Sequence, residues 1–385
     1  MRTPVQEEFL SIIRYEMAGT PLPDGFGVAD MDALLKLASK QDLSHFVYDV
    51  LTKNGIACSS EKALKQYIAS LWRVEQMDHE LAQMSKLFQE RGIDFIPLKG
   101  SVMRGLYPAR WMRTSADIDV LFRGDQEQEA KRLLMEELGY EEWTEANSAN
   151  HSNLYSPKSR IHVETHWSLF HEVDSDIGYV ELFSGIWDRA VVDPAGGGHR
   201  YMLSDADFYV YHMAHMEKHF QLSGGCSVRG LIDLWLLDRL PGADREGRAK
   251  LLAECGLSQF EDRMKKLIYA WMDGTPTENE YLEQFVLTGY LYGDDKRKAT
   301  INTREKGTFG YIMQRIFMPY EYMTIAYPVL KKHPWLLPVM WVKRWGKVFD
   351  KDSRRRAGGE IKTSIKTDGQ TLQEYRELSE YLGID

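Results

Sequence analysis

Asp117 and Asp119 stand on either side of Ile118 in the apolar run DIDVLF, and 15 residues separate them from Lys99-Gly100-Ser101, which closes the earlier apolar run FIPL. Successive side chains of a strand alternate between faces, so the two carboxylates share one face while Ile118 and Val120 point into a core. Neighbouring carboxylates repel, and a divalent cation between them removes the repulsion. Gly100 permits close backbone approach, and the helix start that follows offers free N–H groups to an anion. Residues of these types at this spacing suit a metal held next to a phosphate.

A third carboxylate comes from RIHVETHWSL, Arg160 to Leu169, which alternates cleanly. Ile161, Val163 and Thr165 fall on one face and His162, Glu164 and His166 on the other. If this strand lies beside the Asp strand, Asp117, Asp119 and Glu164 converge at one sheet edge. That donor set suits two Mg²⁺ (or Mn²⁺) ions in phosphoryl transfer, with Glu164 either completing the metal site or acting as base toward an acceptor. Gly100 and Ser101 would then hold a triphosphate and Lys99 would neutralise charge. Arg110 and Arg113, just before the Asp strand, are placed to reach triphosphate oxygens. Lys99 has the alternative of a structural pair with either aspartate, and both arginines that of lying on the surface.

A second cluster lies in YVYHMAHMEKHF, where His212, His215 and His219 recur at three and four and share a helical face next to Lys218. Arg229 and Asp233, four apart, share a face of the next helix. His215 and Lys218 are the candidates for nucleotide binding from this cluster. Two other readings stand beside it: a helical His/Asp metal site of hydrolase type, and histidines that simply pack between helices.

These groups need elements to position them. Residues 5–90 have helical periodicity, with Glu61 to Arg91 as one long helix ended by Gly92. From Ile93 the pattern changes: strand Ile93 to Leu98, helix Val102 to Tyr107, strand Ile118 to Phe122, helix Gln126 to Leu138, then strands at Tyr140 to Trp143, Asn153 to Tyr155 and within Arg160 to Leu169. Ser204 is placed to cap a helix running toward Phe220. Further helices are expected at Arg229 to Leu240, Leu257 to Met272, Glu278 to Leu291 and Phe309 to Phe317. A charged connector, Ser353 to Thr367, leads to a last helix, Thr371 to Leu382. The expected organisation is a helical region over 1–90, a catalytic core over 91–195, a helical domain over 196–350, and a linker with terminal helix over 351–385.

The 385 residues are 27% charged and 43% hydrophobic, with a formal net charge of -9, an ordinary globular balance that argues against a general nucleic-acid coat. The charge is polarised, since Lys331 to Arg356 holds nine Lys or Arg against two Asp. The basic aromatic stretch Tyr327 to Phe349 is compatible with RNA contact or an anionic membrane surface, and the commoner arrangement is a helix that packs its tryptophans and solvates its lysines. Three scattered cysteines form no CxxC pair, so no disulfide partner is expected. Neither a signal peptide nor a stable membrane insertion is expected, which together point to the cytoplasm.

The order strand, Lys-Gly-Ser, helix, Asp-x-Asp strand and later carboxylate-bearing strand resembles the nucleotidyltransferase superfamily with the polymerase-β-like fold. More narrowly, Lys99-Gly100, Tyr107, Arg113, Asp117-Ile118-Asp119 and His166-Trp167 resemble the family of uncharacterised bacterial nucleotidyltransferases, over about residues 90–240. Two departures are a spacer between Ser101 and Asp117 longer than usual in the superfamily, and Glu164 in place of an Asp. The resemblance implies an α+β fold, a minimal nucleotidyltransferase mixed sheet flanked by helical N-terminal and C-terminal regions. It also implies transfer of a nucleoside monophosphate from an NTP, ATP among them, with the Asp pair as metal ligands. The acceptor is left open between a small molecule, a tRNA end and a protein side chain. A nucleotide-binding regulator that has lost turnover is the alternative.

Overall fold

A computed structural model describes residues 2–143, 150–170, 179–225, 227–289, 316–347 and 369–384, together with four single positions between 290 and 315. The expected helix at Phe309 to Phe317, most of it, and the connector Ser353 to Thr367 lie outside the described residues. The chain divides into two compact units, Met1–His215 with Ser227–Leu291, and Met216–Cys226 with Tyr292–Asp385.

In the first unit four helices come first: α1 Pro4–Ala18, α2 Met31–Lys40, α3 Ser44–Lys53 and α4 Glu61–Arg91. Caps decide their ends. Thr3, Asp30 and Ser60 each accept a backbone N–H of the first turn, and Gly92 ends α4 in the left-handed conformation at φ 69°. The long helix falls where the apolar periodicity and Gly92 place it.

The sheet follows: β1 Phe95–Pro97, a single turn α5 Gly100–Met103, β2 Asp117–Phe122, α6 Glu127–Leu138, β3 Glu141–Glu142, β4 His151–Tyr155 and β5 His162–His166. Its order is β1-β2-β5-β4-β3. Only the β2–β5 pair is parallel; the other three pairs are antiparallel, so the sheet is mixed. The fold is α+β, as expected. One face is apolar and buried: Ile118, Val120 and Val163 pack with Phe88 and Met84 of α4 and with Ala130, Leu133 and Leu134 of α6. This packing leaves the opposite face, with Asp117, Asp119 and Glu164, for chemistry. The expected helix from Val102 to Tyr107 is shorter than its pattern: α5 gives way to a 3₁₀ turn at Arg104–Leu106.

Short elements α7 Tyr179–Ser184, α8 Ile186–Arg189, β6 Val191–Val192 and β7 Tyr201–Met202 lead to α9 Asp205–Ser223, whose start is capped by the Ser204 hydroxyl, accepting from Asp207 N at 3.1 Å. Then come α10 Val228–Asp238, α11 Arg245–Glu254, α12 Ser258–Asp273 and α13 Glu280–Thr288.

The second unit holds α14 Tyr320–Ala326, α15 Val329–Lys332, α16 Leu337–Lys347 and α17 Gly369–Leu382. In its basic aromatic stretch Trp341 and Trp345 donate to the Met318 and Ile316 carbonyls, both at 2.8 Å, and pack on Phe317. Trp335 is exposed. Among the described residues no helix is long and apolar enough to cross a membrane, and Cys58 is a free thiol.

Candidate active site

The parallel pairing of β2 with β5 sets Asp119 directly beside Glu164 and Asp117 beside His162. Directly paired residues present their side chains to the same face, so Asp117, Asp119 and Glu164 share one. Arg73 of α4 fixes this register at its start by donating to the carbonyls of Ala116 and Arg160, the residues that enter the two strands.

Lys99 comes to the same place through the backbone. Leu98 N donates to Asp119 O at 3.0 Å, which continues the β1–β2 ladder by one step. Lys99 then turns with φ 43° and ψ -117°, a positive-φ conformation that L side chains rarely adopt, and its Nζ lies 2.8 Å from Asp119 Oδ1. Gly100 follows, and a Cβ there would sit 2.8 Å from Ser115 Oγ. Arg104, fully buried, ties the turn down by donating to the Gly100 carbonyl at 3.0 Å, the Ser115 hydroxyl at 3.1 Å and Asp78 of α4 at 2.9 Å. The Ser101 hydroxyl is buried without a hydrogen-bond partner among the described residues. Gly100→Ala is therefore expected to cost about 1–3 kcal/mol, the usual range for overpacking. Ser115→Gly should restore part of it, as read by denaturant midpoints.

His166, directly paired with Leu121, completes the cluster. Its Nε2 lies 3.1 Å from Asp119 Oδ1 and 3.2 Å from Glu164 Oε2. From β4, His151 brings its Nε2 to 3.5 Å from Glu164 Oε1, the two imidazole rings being 4.7 Å apart. Tyr211 of α9 is buried and within electrostatic reach of Lys99, Asp119, Glu164 and Asp117.

The charges sort themselves accordingly. Burial, then the Asp119 and Glu164 carboxylates, push Asp117 up to about 7. For Asp119 burial works the same way, but the Lys99 charge and the His166 hydrogen bond prevail and hold it well below the usual carboxylate range. Burial would lower His166, yet its bonds to Asp119 and Glu164 raise it. Burial and the neighbouring His166 push His151 down to about 4. One face thus holds an ionised Asp119 compensated by Lys99 and His166, and an Asp117 that is crowded by like charge. Among the described residues no side chain hydrogen-bonds the Asp117 carboxylate.

The remaining residues singled out in the sequence fall elsewhere. Arg113, its side chain 11% exposed, makes a two-pronged pair with Asp233 of α10, Nε at 3.0 Å from both oxygens and Nη2 at 2.9 Å from Oδ2. Tyr107 donates to the same carboxylate at 2.6 Å. Arg110 pairs with Asp78 at 2.8 Å. Arg229 pairs with Asp42 at 2.6 Å and donates to the Thr114 carbonyl at 3.2 Å. The face of α10 that carries Arg229 and Asp233 thus braces the segment between the Lys99-Gly100-Ser101 turn and β2. His212 Nε2 lies 3.0 Å from the Gly230 carbonyl, an interhelical bond of the packing kind. His215 stands one turn beyond Tyr211, ring to ring 6.2 Å, whereas Lys218 belongs to the second unit.

The turn before β2 is held from the other side by His45 of α3, whose Nε2–H donates to the Met112 carbonyl at 3.1 Å. Burial lowers the affinity of this ring for a second proton below its ordinary 6.5. The unfolded chain then binds the proton first, so the stability this group supplies is present above about pH 6.5 and is lost as pH falls below it. The melting temperature is expected to drop on acidification through that range. His45→Gln, which keeps a donor near Met112 but cannot titrate, should make the drop shallower.

Sequence periodicity did not single out His151, Arg104 or Tyr211, and left His166 without a role. His151 was findable: it alternates with Asn153 and Tyr155, and that strand must lie beside β5. Arg104 and Tyr211 carry no local signal, because what marks them is the partner each meets across the fold.

A family model described as uncharacterised nucleotidyltransferase matches residues 28–273, which is well over half of the chain and includes every residue of the cluster. No curated protein matches.

Proposed function

The chain belongs to the uncharacterised nucleotidyltransferase family, and from that premise we propose that it moves a nucleoside monophosphate from an NTP to an acceptor with divalent metal at Asp117, Asp119 and Glu164. The observation that carries the reading is the Asp119–Glu164 register, which sets three carboxylates on one face beside the Lys99-Gly100-Ser101 turn. The residues fit a Mg²⁺ or Mn²⁺ ion: the donors are hard oxygens, and a bound cation relieves the like charge of Asp119 and Glu164 that, after burial, helps push Asp117 up to about 7. When bound, such an ion supplies charge stabilisation to the transferring phosphoryl group and its leaving pyrophosphate.

The chain's own residues do the rest. Lys99 keeps Asp119 ionised, and its ammonium is a cation already placed at the phosphate turn. The unpartnered Ser101 hydroxyl can donate to a phosphate oxygen, while Gly100 keeps the turn close to Ser115. Glu164 either completes the metal site or accepts the proton of the acceptor group. Arg113 serves the nucleotide through Asp233 and Tyr107, by bracing the turn, with His215 as a further nucleotide contact. The acceptor is a small molecule, a tRNA end or a protein side chain.

The test is a screen of the four NTPs with Mg²⁺ or Mn²⁺ and α-labelled nucleotide. Mass spectrometry then searches for a nucleotide adduct on the protein or on added acceptor. Label transfer with pyrophosphate release supports the enzyme. Nucleotide binding without pyrophosphate release would instead support a regulator that retains the pocket.

A further inference from the structure

Glu164 faces two groups of donors at once. On one side are the aspartates; on the other are His151 and His166, whose candidate ligand atoms lie with that of Glu164 within 4.8 Å of one another. The orientation of His151 is set from outside the cluster. Asn150 donates its Nδ2 to the Ser168 carbonyl at 3.1 Å and the Leu169 carbonyl at 3.4 Å. Its Oδ1 is thereby left as the acceptor, 3.1 Å from His151 Nδ1. An amide oxygen only accepts, so His151 Nδ1 carries the proton and, in the neutral ring, Nε2 carries a lone pair. That lone pair faces Glu164 Oε1 at 3.5 Å, an approach of two electron-rich atoms that a cation between them would turn into attraction.

We propose that His151, Glu164 and His166 form a mixed nitrogen and oxygen site for a first-row transition-metal dication, beside the Asp117–Asp119 pair. Two imidazoles and a carboxylate suit such ions and disfavour Mg²⁺, which takes oxygen ligands. The Asn150 amide plays the part that outer hydrogen-bond partners play for metal-bound histidines, fixing the tautomer and the ring plane. His166 Nε2 releases its shared proton on binding the ion, as ligation requires, and the carboxylates of Asp119 and Glu164 lose that hydrogen bond. The His166 Nδ1 atom is buried with no partner among the described residues, so no acceptor or donor there opposes the Nδ1–H tautomer that the ring takes once Nε2 has given up its proton to the carboxylate side. The site stands on this geometry whether or not the protein transfers nucleotides, although Glu164 is common to both.

The test uses the full chain, stripped with chelator and reloaded with Mn²⁺ alone, and reads ¹⁴N coupling by pulsed EPR. Histidine coupling is expected in the unmodified protein and in Asp117→Asn, and it should persist under excess Mg²⁺. It should weaken in His151→Ala and vanish in the His151→Ala/His166→Ala pair, circular dichroism showing that the variants are folded. Asn150→Ala keeps all three ligands and should weaken Mn²⁺ binding by about 10–100-fold, the range for outer-partner removal. Mn²⁺ bound without ¹⁴N coupling, or coupling that survives the double replacement, would overturn the site. Histidine coupling in a protein that transfers no nucleotide label would sink the transferase reading and leave this one standing. Label transfer without coupling would do the reverse.

Discussion

Asp119→Asn is expected to lower label transfer from α-labelled NTP by about 10³-fold or more, with the fold retained. The size follows from charge: metal-assisted stabilisation of a transferring phosphoryl group is worth several kcal/mol, and about 1.4 kcal/mol is a factor of ten in rate. Asp119 is also the carboxylate on which Lys99 and His166 converge, at 2.8 and 3.1 Å. Asparagine keeps the shape and removes the charge, so Lys99 faces the site without its nearest counter-ion and His166 loses one of the two carboxylates that raise its proton affinity. The same variant should therefore show a downward move of the His166 titration by NMR. A variant that titrates His166 as before, or that transfers label at the original rate, would remove Asp119 from the centre of the site. Lys99→Met, which deletes the cation and leaves the carboxylate, should impair transfer too, by weakening both Asp119 ionisation and phosphate contact.

Asp233→Ala is expected to cost about 3–5 kcal/mol of stability, the range for leaving one partner of a buried ion pair uncompensated. Asp233 and Arg113 are almost wholly buried, and the Tyr107 hydroxyl also ends on this carboxylate. Truncation strands a guanidinium and a phenol together. Burial alone would raise the Asp233 carboxyl, but Arg113, His212 and the hydrogen bonds hold it below the usual range. By linkage this stability is present above the ordinary carboxylate pKa and is lost as pH falls through the folded value. Urea denaturation at neutral and acid pH checks both statements. A cost under about 1 kcal/mol, the size of an exposed pair, would show that water reaches the guanidinium. Because Asp233 braces the segment leading into β2, activity should fall with stability in this variant. Arg113→Lys, which keeps charge and loses the planar fork, should be intermediate.

Neither result concerns a residue that acts alone. The site is one face of a short mixed sheet, whose other face is fastened to α4 and α6 by Phe88, Ile118, Val120 and Val163. Arg73 and Arg104 reach from α4 and its neighbourhood to fix the strand starts and the Lys99-Gly100-Ser101 turn. The long helix is thus part of the site's support, although it contributes no reacting group.

What the sequence determined by itself is everything that depends on period and local conformation. The two-residue alternation of DIDVLF and RIHVETHWSL sets Asp117 with Asp119 and Glu164 with His166, since a strand allows no other arrangement. Gly92 and Ser204 mark helix ends because αL geometry and a capping hydroxyl are local needs. The tertiary structure alone decided what those groups meet. Parallel pairing with zero offset puts Glu164 beside Asp119; a shift of one residue would have put Val163 there. Arg113, chosen from the sequence for its nearness to the Asp strand, turns to Asp233 from a helix about 120 residues away, where a carboxylate meets the guanidinium fork with both oxygens. His151 gained its part in the same way, from strand pairing and an Asn150 amide oriented by two distant carbonyls. Charge compensation between elements far apart in the chain is a property of the folded register, and no spacing along the sequence encodes it.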